Sequence, residues 1–88
     1  MNKIGIEERA RRYLLKTERV LKEIRVVENP TLIDGSRVLR VIEEANRYFE
    51  DAKYYFERKE YEVSLASISY CEGLLDALRM LKLAEFEW

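Results

Sequence analysis

The chain has 88 residues, of which 48% are hydrophobic and 38% are charged, and its net charge is -1. This length supports one domain rather than two, and the composition excludes a disordered tail because it can form an apolar core under a charged surface. Cys71 has no cysteine partner, and the absence of histidine excludes Cys/His metal sites and histidine-based catalysis. We therefore expect one folded domain over residues 1–88.

The chain lacks the sequence signals of membrane insertion and of export. No apolar run approaches the roughly twenty residues that span a bilayer, and the N-terminus does not resemble a signal peptide. We therefore expect a cytoplasmic protein without a membrane partner. Charged residues are abundant while glutamine is absent, a composition that resembles proteins from hot environments.

The first predicted helix covers residues 6–27, where apolar side chains recur every three or four residues. Asn29 and Pro30 should end it, because the residue before proline is disfavoured in the α region. Leu15 falls on its polar face. Four cations lie beside the apolar stripe and are called the basic row: Arg9, Arg12, Lys16 and Arg19.

Charge is unevenly distributed along the chain. Residues 1–27 contain eight basic and four acidic residues, whereas residues 28–88 contain eight basic and thirteen acidic ones. Such asymmetry can mark a nucleic-acid surface, on which the basic row would contact phosphates. It also arises when a basic helix docks on an acidic hairpin of its own chain, which we favour because steering charge is a weak signal in so small a protein.

The second and third helices are predicted over residues 35–58 and 62–83, with Asp34 as the N-cap of the second. The connection between them is so short that the two helices must be antiparallel. The predicted fold class is therefore all-α. Its architecture is a three-helix antiparallel bundle, in which a long first helix packs on a tight helical hairpin.

Apolar positions of the hairpin predict how its helices pack, because they recur with the spacing of helices in contact along their length. The second helix should contact the third through Leu39 or Ile42, Phe49, Ala52 and Phe56, facing Leu65, Ile68, Leu75 and Leu78. The third helix also has a row of small residues, which predicts a close helix crossing at Gly73. This row consists of Ala66, Ser69, Gly73 and Ala77.

Carboxylates are the only candidates for catalysis or metal binding in this sequence. Glu72 and Asp76 share one helical face, and together with Asp51 of the neighbouring helix they could hold Mg²⁺. A surface salt-bridge cluster is the simpler interpretation, since Arg79 lies three residues after Asp76. We favour it, and we expect an inert buried thiol at Cys71, no metal, no cofactor and no enzymatic activity.

The third helix is apolar around more of its circumference than two neighbouring helices can cover. The sequence therefore predicts a non-enzymatic interaction module that forms a homodimer or binds a partner protein. The contact candidates are Leu74, Leu81, Phe86 and Trp88. The alternative for Phe86 and Trp88 is that the tail folds back over the first helix. The alternative function is a nucleic-acid accessory protein that uses the basic row.

A family resemblance covers about residues 38–83. It is carried by Tyr48-x-x-Asp51-Ala52-x-x-Tyr55-Phe56, then Tyr61-x-x-Ser64-Leu65 and Tyr70-x-x-Gly73-Leu74-Leu75-Asp76-Ala77. This pattern resembles an archaeal family of small helical proteins, domain of unknown function 357. The resemblance implies a compact helical domain without assigned catalytic residues. Members are sometimes joined to a nucleotidyltransferase-like domain, which implies a nucleotide-linked or partner-binding context. The hairpin is more faintly similar to a single tetratricopeptide unit.

Overall fold

The computed structural model describes residues 5–27 and 33–88. In these residues the helices are α1 (Ile6–Glu23), α2 (Gly35–Glu57) and α3 (Tyr61–Met80), and the short strands are β1 (Arg25–Val26) and β2 (Ala84–Glu85). The predicted all-α bundle is confirmed, since α2 and α3 form an extensively packed hairpin and α1 packs on both. None of the described helices has both the length and the apolar character that a membrane span requires.

The first helix ends at Glu23, before the predicted end at residue 27. The chain leaves the helix to form β1, which pairs antiparallel with β2 and places Val26 opposite Ala84. The Val27 N–H extends this pairing by donating to the Leu83 carbonyl at 3.0 Å. Because the two strands are far apart in the sequence, the local pattern of apolar residues did not predict that they pair. The predicted stop at residues 29–30 lies outside the described residues.

The second helix begins as its cap residue predicts. The carboxylate of Asp34 accepts a hydrogen bond from the Ser36 N–H at 3.0 Å, which satisfies one of the free donors at the helix start. This hydrogen bond holds the pKa of the Asp34 carboxyl below its ordinary value. Between α2 and α3, the buried Ser64 hydroxyl donates to the Ala52 carbonyl at 2.7 Å and fastens the hairpin.

Both hairpin helices end in a Schellman motif with lysine in the left-handed region, Lys59 at φ 65° and Lys82 at φ 60°. After α3, the Lys82 N–H donates to the Arg79 carbonyl and the Leu83 N–H donates to the Leu78 carbonyl, each at 2.9 Å. These bonds end α3 at Met80, three residues before the predicted end. The same turn directs the chain back toward β1.

The core contains two clusters of buried side chains. The larger joins all three helices and consists of Leu14, Val20, Ala45, Phe49, Ala52, Ile68, Cys71 and Leu75. The smaller lies beside the strands and consists of Val38, Leu78, Leu83 and Ala84. Phe56 and Leu65 are half-buried against the larger cluster, as predicted. At the start of α2, Ile42 is half-buried while Leu39 is exposed, so Ile42 is the correct alternative of the two.

Candidate interaction surface

The first helix covers one side of the hairpin through polar as well as apolar contacts. Lys16 Nζ lies 3.1 Å from Glu72 Oε2, and the Thr17 hydroxyl donates to the same oxygen at 3.4 Å. In the first half of α1, the Arg11 guanidinium lies 5.5 Å from the centre of the Phe56 ring of α2. The flank of α3 that carries Glu72 is therefore occupied by α1.

Most cations of the basic row already have partners within the monomer. Lys16 forms the expected contact with the hairpin, whereas Arg12 pairs with Glu8 of α1 itself at 3.3 Å. Arg19 pairs with Glu23 at 3.1 Å and also donates to the main-chain oxygen of Trp88. Arg9 is exposed and forms no ion pair with the part of the chain that the structure describes. Three of the four cations thus have acceptors within the monomer.

The candidate carboxylates have different partners and do not form one site. Glu72 is bound by α1, and Asp76 accepts a hydrogen bond from Trp88 Nε1 at 2.6 Å. Asp76 also lies 3.3 Å from Arg79, which is the predicted salt bridge. Asp51 is exposed on α2. Within residues 5–27 and 33–88, no three acidic or cysteine side chains are grouped in a way that could hold a metal ion.

The aromatic tail packs against its own chain. Phe86 and Trp88 form an edge-to-face pair with ring centres 5.1 Å apart, and both are half-buried against the larger core cluster. Lys16 Nζ lies 5.1 Å from the centre of the Trp88 ring, while Arg79 lies over the Phe86 ring. The tail therefore adopts the folded-back alternative, and these two aromatic rings are already covered in the monomer.

The remaining two contact candidates lie in different environments. Leu74 is half-buried against the larger core cluster, whereas 63% of Leu81 is exposed at the end of α3. Cys71 points into the core and is fully buried, as predicted. Burial raises the pKa of its thiol to about 12, and the nearby Glu72 carboxylate adds to the increase. The thiolate, which is the reactive form of cysteine, is therefore scarce at neutral pH.

A groove of about 760 Å³ lies between the ends of α1 and α3 and the two strands. Its arginines already have carboxylate partners, because Arg25 lies 3.0 Å from Glu85 and Arg79 pairs with Asp76. Acidic side chains line it as well, so the charges within the groove are nearly balanced. This groove does not have the concentrated positive charge that phosphate recognition requires.

The predicted close crossing at Gly73 is wrong for the monomer. Gly73 lies on the surface, and a methyl group added at its Cα would have no neighbour within 4 Å. The other members of the small-residue row, Ala66, Ser69 and Ala77, are exposed too. The row therefore faces away from α1 and α2. The periodicity of α3 did not reveal this orientation, because apolar residues occur on nearly all of its sides.

The small residues belong to a broader exposed surface of α3. At about 100° per residue, they share one side of the helix with larger apolar residues. Met80 is 78% exposed and Tyr70 is 57% exposed. We call this surface the open face; it consists of Glu62, Val63, Ala66, Ser69, Tyr70, Gly73, Ala77, Met80 and Leu81.

The open face continues onto α2 through an aromatic contact. Tyr48 of α2 stacks on Tyr70, with ring centres 4.4 Å apart. Partial burial, followed by the effect of Tyr70, raises the pKa of the Tyr48 phenol above its ordinary value. This aromatic contact lies on the flank of α3 that is opposite Glu72. The flank that carries Glu72 is the one that α1 covers. The hairpin thus has one side covered by α1 and another side left open.

The fold and this surface define a small all-α domain, in which three antiparallel helices leave one helix face open. The model of the family described as "Protein of unknown function (DUF357)" matches residues 12–84. The chain belongs to this family, which confirms the resemblance carried by the hairpin. No curated protein and no solved structure matches the chain.

Proposed function

We propose that this protein is a non-enzymatic interaction module that self-associates through the open face of α3. The observation that carries the proposal is the charge content of that face. Glu62 is its one charged residue, although 38% of the chain is charged. A surface with few charged residues, in a protein that is otherwise so rich in them, is typical of a contact region, since interface centres are depleted in charged residues.

The residue types of the open face suit a helix–helix contact. Met80, Leu81 and Tyr70 are all more than half exposed and offer apolar area whose burial favours association. Gly73 and its small neighbours would allow a second helix to approach α3 closely, which increases the number of dispersion contacts. In the monomer Gly73 lowers the helix propensity of α3 without a packing benefit, since a methyl group added at its Cα would have no neighbour within 4 Å. A contact in the assembly would supply that benefit.

The monomer also narrows the choice of contact residues. Phe86, Trp88 and Leu74 are half-buried within the chain, so little of their area is left for a partner. Leu81 is the one original contact candidate that lies on the open face. The proposed surface therefore moves from the aromatic tail to the exposed side of α3.

Sedimentation velocity tests the proposal with the full chain and two charged variants. Gly73→Glu places a carboxylate at the middle of the open face, and it should keep the fold because glutamate has a higher helix propensity than glycine. Leu15→Glu is the matched control, since Leu15 is 61% exposed on α1, away from that face. Circular dichroism verifies that both variants remain helical.

We expect the unmodified chain and Leu15→Glu to sediment as dimers and Gly73→Glu to sediment as a monomer. The concentration range should extend to about 100 µM, which detects dimers with dissociation free energies down to about 5.5 kcal/mol. An unmodified chain that stays monomeric over this range overturns the proposal. A dimer that Gly73→Glu leaves intact overturns the choice of surface.

A further inference from the structure

The open face of α3 is narrow for a stable contact between proteins. Because α3 has 20 residues, its face is about 30 Å long and one helix diameter, about 10 Å, wide. This footprint of about 300 Å² is well below the roughly 800 Å² per partner that specific interfaces bury. A contact confined to α3 would therefore be small, and further surface should come from the neighbouring flank of α2.

The flank of α2 beside the open face has a row of half-buried residues, called the α2 row, which consists of Val41, Tyr48 and Tyr55. These residues follow one another at intervals of seven, close to two helical turns, so they share one side of α2. Tyr48 stacks on Tyr70 of the open face, and we call these two residues the tyrosine pair. The apolar surface therefore extends over both helices of the hairpin.

The α2 row is level with residues of the open face. In an antiparallel hairpin, a step toward the start of α2 matches a step toward the end of α3, so positions seven residues from the tyrosine pair are level again. Val41 is therefore level with Ala77, and Tyr55 with Val63, each about 10 Å from the pair along the helices. The tyrosine pair thus lies midway along a surface to which both helices contribute.

The tyrosine pair combines a large exposed ring with a fixed position. The two ring planes are inclined by 28°, so Tyr48 covers one face of the Tyr70 ring. Ala66 and Gly73, one turn before and after Tyr70, are too small to cover the rest, and 57% of Tyr70 stays exposed. Because the stack holds this ring, little side-chain freedom remains to be lost on binding. Rigid tyrosines of this kind often dominate the binding energy of an interface.

We infer that the tyrosine pair anchors the self-association surface, and that the α2 row contributes to the contact with a second copy. This inference rests on the proposed function and adds the residues on which the affinity depends. Charged residues of both signs, Arg37, Glu44 and Asp51, border the α2 row. They correspond to the polar rim that surrounds the apolar centre of an interface.

Hydroxyl-radical footprinting with mass spectrometry tests the inference without a substitution. Tyr54 is the internal control, because it is 55% exposed on α2 and lies away from the α2 row, with Arg58 over its ring. The unmodified chain is compared at about 1 µM and at about 100 µM, which brackets the expected range of dissociation constants. We expect the rate of Tyr70 modification, divided by that of Tyr54, to fall several-fold at the higher concentration.

Sedimentation velocity of full-length variants shows which helices contribute. Tyr70→Ala removes the exposed ring and should raise the dissociation constant about thirtyfold, the loss typical of a hot-spot residue. Tyr48→Ala removes the support from α2 and should also weaken association, whereas Tyr48→Phe keeps a stacked ring and should not. Tyr54→Ala is the matched control, and circular dichroism verifies that each variant is folded.

Several results would overturn the inference in a chain that sediments as a dimer. A constant ratio of the two modification rates would do so, as would a dimer that Tyr70→Ala weakens no more than Tyr54→Ala does. Weakening by Tyr70→Ala but not by folded Tyr48→Ala would overturn the contribution of α2. The Gly73→Glu comparison would still support self-association in these cases. An unmodified chain that stays monomeric up to about 100 µM would instead contradict the proposed function itself.

Discussion

Replacing Leu75 with alanine tests the assignment of the buried side of α3. Leu75 is fully buried in the larger core cluster, between residues of all three helices. The substitution removes an isopropyl group, which loses about 0.8 kcal/mol for each of about three buried carbon groups, and the residual cavity adds to that loss. We therefore expect Leu75→Ala to lower the free energy of unfolding by about 3 kcal/mol.

Urea denaturation followed by circular dichroism measures this change, with both variants and the unmodified chain at one protein concentration because the proposed self-association would make stability concentration-dependent. Leu15→Ala is the matched control: the same atoms are removed at a site that is 61% exposed, so its effect should stay within about 0.5 kcal/mol. A loss below about 1 kcal/mol for Leu75→Ala, or equal losses for both variants, would refute the assignment of the core.

Three further predictions concern the thiol, the helix cap and the basic row. The Cys71 thiol should react slowly with a disulfide reagent near pH 8 in the folded chain and rapidly in urea, because burial raises its pKa to about 12; equal rates would contradict this burial. Asp34→Ala should lower the melting temperature by removing the cap bond. Folding lowers the pKa of Asp34, so the stability that its carboxylate contributes is present above the unfolded-state pKa and is lost as the pH falls through the folded-state pKa. The difference in melting temperature between the unmodified chain and Asp34→Ala should therefore shrink in acid. Finally, RNA should not bind with micromolar affinity at physiological salt, because three cations of the basic row have acceptors within the monomer. Salt-sensitive RNA binding would instead support the nucleic-acid function if it is abolished when glutamine replaces Arg9, Arg12, Lys16 and Arg19.

The sequence predicted that α3 carries an exposed apolar surface, but it did not predict on which side of the helix that surface lies. The broad apolar character of α3 indicated that this helix has more apolar surface than two neighbours can cover. The sequence alone did not show which side α1 and α2 cover, because small and large apolar residues occur on both flanks. Gly73 therefore pointed to a close crossing that the monomer does not contain. The exposed side became identifiable only once Lys16 and Glu72 fixed α1 on the opposite flank.

The sequence by itself determined the features that depend on neighbouring residues. The α class, the antiparallel hairpin and the Asp34 cap follow from helical periodicity, a short connection and a side chain that reaches the next turn. Only the tertiary structure decided that β1 pairs with β2 and that Trp88 packs beside Asp76. These contacts join segments distant in the chain, so their formation depends on how the helices pack. That packing also determines which face of α3 remains open.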